Sequence, residues 1–331
     1  MSTAPYPWQR KAWTSVAARR SEDRLAHGLL LVGPNGLGKL DFAAALAKAL
    51  FCHQPNEAFL PCGQCAACHW FSAGTHPDYL RLMPEESGKP IKVAAVRDLI
   101  GKLYLTSSDR GVKVALVHPA DRMNANAANA LLKTLEEPPQ RTHLLLVTSR
   151  PSVLPPTIRS RCQRIHFQVP PREDSLKWLA SQGVGGEPEL LLSLGGGAPL
   201  AALKMDRDAS LDRRRDWIQA WFGVQTGSEH PLAFAQRVVS DDLGRFLFWL
   251  TTWVQDLIRI RAGAGRAQIV NVDLGELLEN FARSQQDRLL FDYLKQLEEA
   301  GRLLSVGINE SLLFEDLMIA WGRMRPVQHH G

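Results

Sequence analysis

The chain has 331 residues, 45% of them apolar and 22% charged, which excludes a disordered or low-complexity protein and leaves room for two or three domains. Its apolar runs fall far short of the roughly 20 residues that span a bilayer, and the opening MSTAPYPWQRK lacks the apolar centre of a signal peptide, so a cytoplasmic protein with no membrane partner is expected. The formal net charge of +5, with pI near 9.0, is small beside 39 basic and 34 acidic residues; it permits a polyanionic partner without indicating one.

Trp8, Ala12, Trp13 and Val16 recur at helical spacing and predict a first helix over 8–20. An apolar run from His27 to Val32 then leads into GPNGLGKL at 33–40, after which Phe42, Leu46 and Leu50 continue as a helix. Gly33, Gly38 and Lys39 match the phosphate-binding loop GxxxxGK[ST], in which glycines let backbone amides converge on phosphate oxygens and the lysine reaches the terminal phosphates. The last position departs from the pattern: Leu40 stands where a hydroxyl would ligate magnesium. The bland alternative, a glycine turn capping a helix, does not account for strand, loop and helix in the required order.

Of five cysteines, four fall between positions 52 and 68, which in a reducing compartment argues for metal rather than disulfides. Cys62, Cys65 and Cys68 form CxxCxxC and Cys52 lies ten residues earlier; four thiolates close a tetrahedral zinc site and leave no open position, so the zinc would be structural. Unpaired buried cysteines are the competing reading. His69 and His76 are spare ligands, better read as surface or core-edge histidines, with His76 bracing a turn beside Pro77.

Farther along, 91–103 reads as a short strand running into a helix, and 112–123 as a third strand–helix unit. Its apolar strand ends in His118 and Pro119, where a phosphate-loop ATPase should carry a carboxylate for magnesium and another for the attacking water. Asp121 lies beyond the strand end and reads as a loop or capping residue before a helix at 125–137. In that helix Leu131, Leu132 and Leu135 share a side, Pro138 and Pro139 stop it, and the apolar run Leu144 to Val147 predicts a strand buried on both faces of a parallel sheet. Arg159, Arg161 and Arg164 then crowd a turn set by Pro155 and Pro156.

QVPPRED at 168–174 marks a boundary, and 172–205 reads as small helices ending in the glycines at 195–197. Beyond it Leu243, Phe246, Leu247, Leu250, Val254, Leu257 and Ile258 keep helical spacing, as do Leu290, Tyr293, Leu294, Leu297 and Leu304, and five of the nine tryptophans lie in this last third. Residues 207–331 therefore read as a helical bundle, with Arg213 to Arg215 on a solvated face.

NALLKTLEEPP at 129–139, TIRSRC at 157–162, the four-cysteine insert, HPD at 76–78 and NESLLFEDL at 309–317 resemble the clamp-loader branch of the AAA+ ATPases, most closely its delta-prime family in bacterial DNA polymerase III, over nearly the whole chain. The resemblance implies an α/β phosphate-loop AAA+ core over 1–168 with the zinc insert at 52–68, a small helical lid at 169–206 and an all-α collar at 207–331. Ser160, Arg161 and Cys162 match the SRC motif, whose arginine acts as a finger on ATP bound to a neighbouring subunit. Cys52, Cys62, Cys65 and Cys68 match zinc ligands, and Thr148 and Ser149 fall where the first sensor sits. Where motor subunits carry a second-sensor arginine, this chain offers Leu200.

With departures at 40, 118 and 200, the resemblance implies no catalytic residue in cis and a degenerate site at which ATP binding is doubtful. The implied role is a stator that does not hydrolyse ATP, held in a pentameric ring with tau/gamma and delta subunits and meeting the sliding clamp and primed DNA through that complex. Two rivals stand beside it: a working ATPase of tau/gamma type, and a zinc finger contacting DNA. No Lys or Arg lies between 52 and 75, which counts against the second, since phosphate neutralisation dominates nucleic-acid affinity.

Overall fold

The structure, a computed structural model, describes residues 5–86, 89–108, 111–208, 210–304 and 308–324. It divides into two compact units at Pro170 and Pro171.

The first unit is built on a five-stranded parallel sheet of β1 (Gly28–Val32), β2 (Tyr79–Leu82), β3 (Lys113–Val117), β4 (Thr142–Thr148) and β5 (Gln163–His166), in the order β2-β3-β4-β1-β5. Its three inner strands are the apolar runs legible in the sequence: β1 and β3 are buried at every position, and β4 at all but His143. Burial on both faces is what a parallel sheet covered by helices demands. The sheet therefore confirms the expected α/β core.

Its two edges were not anticipated. β2 and β5 each pair on one side only, are four residues long and mix buried or half-buried with exposed positions, so neither reads as a continuous apolar run. The strand expected at the start of 91–103 reduces to a single bridge from Ile91 to Met123, and the helix begins at Val93. The arginine-bearing turn is also different: Pro156–Arg161 is a short helix, because proline at its first position carries the φ a helix needs and lacks an amide proton that would go unbonded there. Arg159 and Arg161 end that helix, and Arg164 lies on β5.

The helix Lys39–Phe51 follows β1 and runs back along the sheet, burying eleven of its thirteen residues. The helix Ala125–Glu136 starts at Asn124, whose side chain accepts from the Ala127 amide at 2.8 Å, and sends Leu131 and Leu135 into the core.

The second unit is all helix among its described residues, from Arg172–Ser181, Pro188–Leu194 and Pro199–Arg207 through to Glu310–Arg323. Both stretches, 172–207 and 210–324, feed one hydrophobic cluster running from Leu179 to Met324. Trp221, Trp249, Trp253 and Trp321 are fully buried there, and the Trp321 indole N–H donates to Trp221 O at 2.9 Å. The solvated face expected at 213–215 holds for Arg213 and Arg215 but fails for Arg214, which has no exposed surface. Arg214 donates to Asp273 Oδ2 at 2.6 Å and to Asn271 Oδ1 at 2.5 Å, which compensates the desolvation of a buried guanidinium.

Candidate functional site

Side chains of interest gather in three places in the first unit. At the carboxyl end of β1 the phosphate-type loop turns through Gly36 and Gly38, both with φ near +75°, and delivers Lys39 as the first residue of its helix. Gly38 is required twice over, since its φ is left-handed and a Cβ there would stand 2.6 Å from the Tyr6 ring. The residues before the first helix close on this loop. Gln9 donates to Leu37 O at 2.8 Å and to Gly38 O at 2.9 Å, Trp8 donates to Leu37 O at 3.1 Å, and the Tyr6 hydroxyl donates to Asp41 at 3.3 Å. Lys39 is buried and donates to Pro34 O of its own loop at 2.6 Å; burial pulls its pKa down to about 8, against an opposing pull from Asp121.

His118 follows β3 at the same end of the sheet. Its Nδ1 is buried with no hydrogen-bond partner among the described residues, and burial, then Lys39, hold the imidazole below its ordinary pKa. Asp121 is not a cap: Asn124 takes that role, and Asp121 sits in a 3₁₀ turn, Ala120–Arg122, with its carboxylate buried. Its Oδ1 accepts from the Thr148 hydroxyl at 2.6 Å and its Oδ2 from Arg150 Nε at 3.1 Å and Nη2 at 3.0 Å. Thr148, the expected first-sensor position, thus spends its donor on the chain's own carboxylate. Of the two readings of Asp121, loop or cap, the loop one holds; sequence reading missed Arg150 and the pairing of the two. The available signal was positional, a carboxylate and an arginine just past the carboxyl ends of two adjacent inner strands. Leu200, the departure at the second-sensor position, lies half-buried on Pro199–Arg207 in the second unit.

The second place is the cysteine set. Cys52 caps the helix Lys39–Phe51, Cys65 caps Ala66–Ser72, and the sulfurs of Cys52, Cys62, Cys65 and Cys68 all lie within 4.8 Å of one another. Tetrahedral zinc with Zn–S near 2.3 Å places its sulfurs about 3.8 Å apart, and Cys52 and Cys65 are 4.0 Å apart already. Backbone amides face the sulfurs, Cys62 N toward Cys52 at 3.2 Å and Cys65 N toward Cys62 at 3.4 Å. The amides of Gln64 and Cys65 bring the Cys62 thiol down to about 6, whereas burial pushes Cys68 up to about 12. The residues fit a divalent metal such as zinc, and among the described residues they are the one group of three or more clustered ligand side chains. His69 is exposed and outside the set; His76 is buried, stacks on Phe51 at 3.8 Å and accepts from the Asp78 amide.

The third place is Arg161, the last residue of its short helix. Its Nε donates to Glu136 Oε1 at 2.6 Å, Nη2 pairs with the same oxygen, and Nη1 donates to Thr157 O at 3.1 Å. Behind it Cys162 is buried, which pushes its thiol up to about 11. A Cβ on Gly28, the first residue of β1, would stand 3.3 Å from Arg161 O, so Arg161 belongs to the amino end of the strand whose carboxyl end carries the loop. From Gly28 to Gly33 the strand covers about 16 Å at its usual rise.

Two family models match the chain: one described as DNA polymerase III, delta subunit, over residues 8–171, and one described as DNA polymerase III, delta subunit, C terminal, over 208–323. The chain is 36% identical to the DNA polymerase III subunit delta' of Pseudomonas aeruginosa, over 96% of this chain and 98% of that one. It is 36% identical to the subunit delta' of Escherichia coli, over 95% and 94%. Against the DNA polymerase III subunit gamma of Buchnera aphidicola it is 33% identical over 47% of this chain and 42% of that one. With two models and two full-length relatives in agreement, the chain belongs to the delta-prime family of bacterial DNA polymerase III subunits.

Proposed function

We propose that this chain is a stator of the clamp loader, a subunit that does not turn over ATP itself and that donates Arg161 to the nucleotide site of a neighbouring tau/gamma subunit. One observation carries the reading: Arg161 lies at the opposite end of β1 from the chain's own phosphate-type loop, on an exposed surface. Phosphoryl transfer of this class needs a lysine, a metal held by hydroxyl and carboxylate, a group that positions water, and an arginine. This chain keeps Lys39 and Arg161, while Leu40 offers no hydroxyl and both oxygens of Asp121 are engaged by Thr148 and Arg150. An arginine acting in trans needs no working site of its own.

In this reading the first unit is the AAA+ core, the helices over 169–206 act as a lid and those over 207–331 as a collar that assembles with tau/gamma and delta subunits. The ring as a whole meets the sliding clamp and primed DNA. Structural zinc on Cys52, Cys62, Cys65 and Cys68 pins the 52–68 excursion, which has little apolar content of its own. The test is Arg161→Ala in a reconstituted ring. ATP turnover by the ring falls steeply, and unchanged turnover overturns the assignment.

The likeness to a gamma subunit over 47% of the chain, together with the retained Lys39, favours a second reading, an ATPase of tau/gamma type. The isolated chain decides between them: turnover of ATP that is lost in Lys39→Ala supports the second reading, and no turnover supports the first.

A further inference from the structure

The guanidinium of Arg161 has five N–H donors. Three of them are engaged within the chain: Nε and one Nη2 hydrogen by Glu136 Oε1, and one Nη1 hydrogen by Thr157 O. Nε and Nη2 form the side edge of the planar fork, and Glu136 grips that edge. The second Nη2 hydrogen has no partner among the described residues, and it lies on the end-on edge, where Nη1 and Nη2 together bind a carboxylate or phosphate bidentately. Among the described residues the further contact of the group is Ser160 Oγ at 3.5 Å, the outer limit of a hydrogen bond.

Both holders stand on anchored elements. Glu136 ends the helix whose Leu131 and Leu135 are in the core, and Arg161 ends the helix whose Ile158 is fully buried. The side chains of Arg161 and Glu136 remain 35% and 47% exposed, so as an ion pair they add little to stability. What the pair does supply is orientation. A free arginine samples many rotamers, and freezing them at the moment of phosphate contact costs free energy that a pre-oriented fork does not lose.

We propose that Glu136 is a positioning residue for Arg161, holding the side edge of its guanidinium so that the end-on edge points outward for a neighbour's terminal phosphate. The inference rests on the reading of Arg161 as a donor in trans. A carboxylate in this place also brings negative charge toward a polyanion, and the two effects have opposite signs, so experiment separates them.

The test measures kcat and KM for ATP in the reconstituted ring with Glu136→Ala, Glu136→Gln, Arg161→Ala and the Glu136→Ala/Arg161→Ala pair, with ring assembly followed by native mass spectrometry. Glu136→Ala lowers kcat about tenfold, the scale of a modest misplacement of a catalytic group, with KM and assembly unchanged. Glu136→Gln, which keeps Oε1 as acceptor, recovers most of the loss, and the double variant is no worse than Arg161→Ala alone. If Arg161→Ala leaves turnover unchanged, the donor reading fails and this inference with it. If Arg161→Ala is severe while Glu136→Ala is neutral, faster, or additive with it, the donor reading stands and the positioning role is overturned.

Discussion

The two ends of one parallel sheet have had opposite fates. At the carboxyl end the groups that would serve a nucleotide have turned to one another: Lys39 to Pro34 O, Thr148 and Arg150 to Asp121, and Gln9 and Trp8 to the loop carbonyls. At the amino end Arg161 is braced by Glu136 and Thr157, and its side chain remains 35% exposed. The difference follows from burial. Polar groups that lose water need partners within the chain, and at the carboxyl end Lys39, Asp121, Thr148 and Arg150 find them in one another or in the loop. An exposed guanidinium is satisfied by water and can wait for a partner at little cost.

The largest test of this contrast is Arg161→Ala. It lowers ATP turnover of the assembled ring roughly a thousandfold or more, the usual worth of an arginine finger, measured by phosphate release, while the fold of the isolated chain is unaffected. Cys68→Ala comes next, because the helix that begins at Lys39 ends at Cys52, and the zinc proposed for the four clustered thiolates would tie that far end. The variant loses its zinc, read as metal per chain by mass spectrometry, and 53–75 becomes open to limited proteolysis with Lys39 and the sheet unaffected. Asp121→Ala strands the Thr148 hydroxyl and the Arg150 guanidinium, so the urea midpoint falls by the equivalent of about 1–3 kcal/mol, and ring turnover does not change. A loss of turnover there would break the contrast, since it would mean the carboxyl end still works.

The smallest effect concerns Lys39. Burial lowers its pKa from 10.5 to about 8 in the folded chain. Between those values the unfolded chain holds a proton that the folded chain has released, so this group makes stability rise with pH from about 8 to 10.5. Lys39→Met removes that increment, and comparison of urea midpoints at either end of the window measures it.

Much of the architecture was legible because the inner strands are buried on both faces. GLLLV at 28–32, KVALV at 113–117 and HLLLV at 143–147 announce themselves by composition, as do the proline stop at 138–139 and the cysteine spacing, whose four sulfurs the fold brings within reach of one ion. The edge strands Tyr79–Leu82 and Gln163–His166 did not, since one bare side lets polar and apolar residues mix and the periodicity blurs. Arg214 shows the same limit in the second unit. Three arginines in a row look like a wet surface, yet successive helical residues face about 100° apart, and the middle one meets Asp273 and Asn271 from nearly sixty residues away.

The sequence by itself determined what each strand end holds: a phosphate-type loop with no hydroxyl at 40 and no carboxylate at 118, four thiolates at metal spacing, and an arginine at 161. Only the tertiary structure decided which of these groups are already engaged and at which end of the sheet each one stands. Local chemistry is written in residue types and short spacings. The engagement of Asp121 by Arg150, and of Arg161 by Glu136, joins residues 29 and 25 positions apart, and such pairings exist only once parallel strands have set their ends side by side.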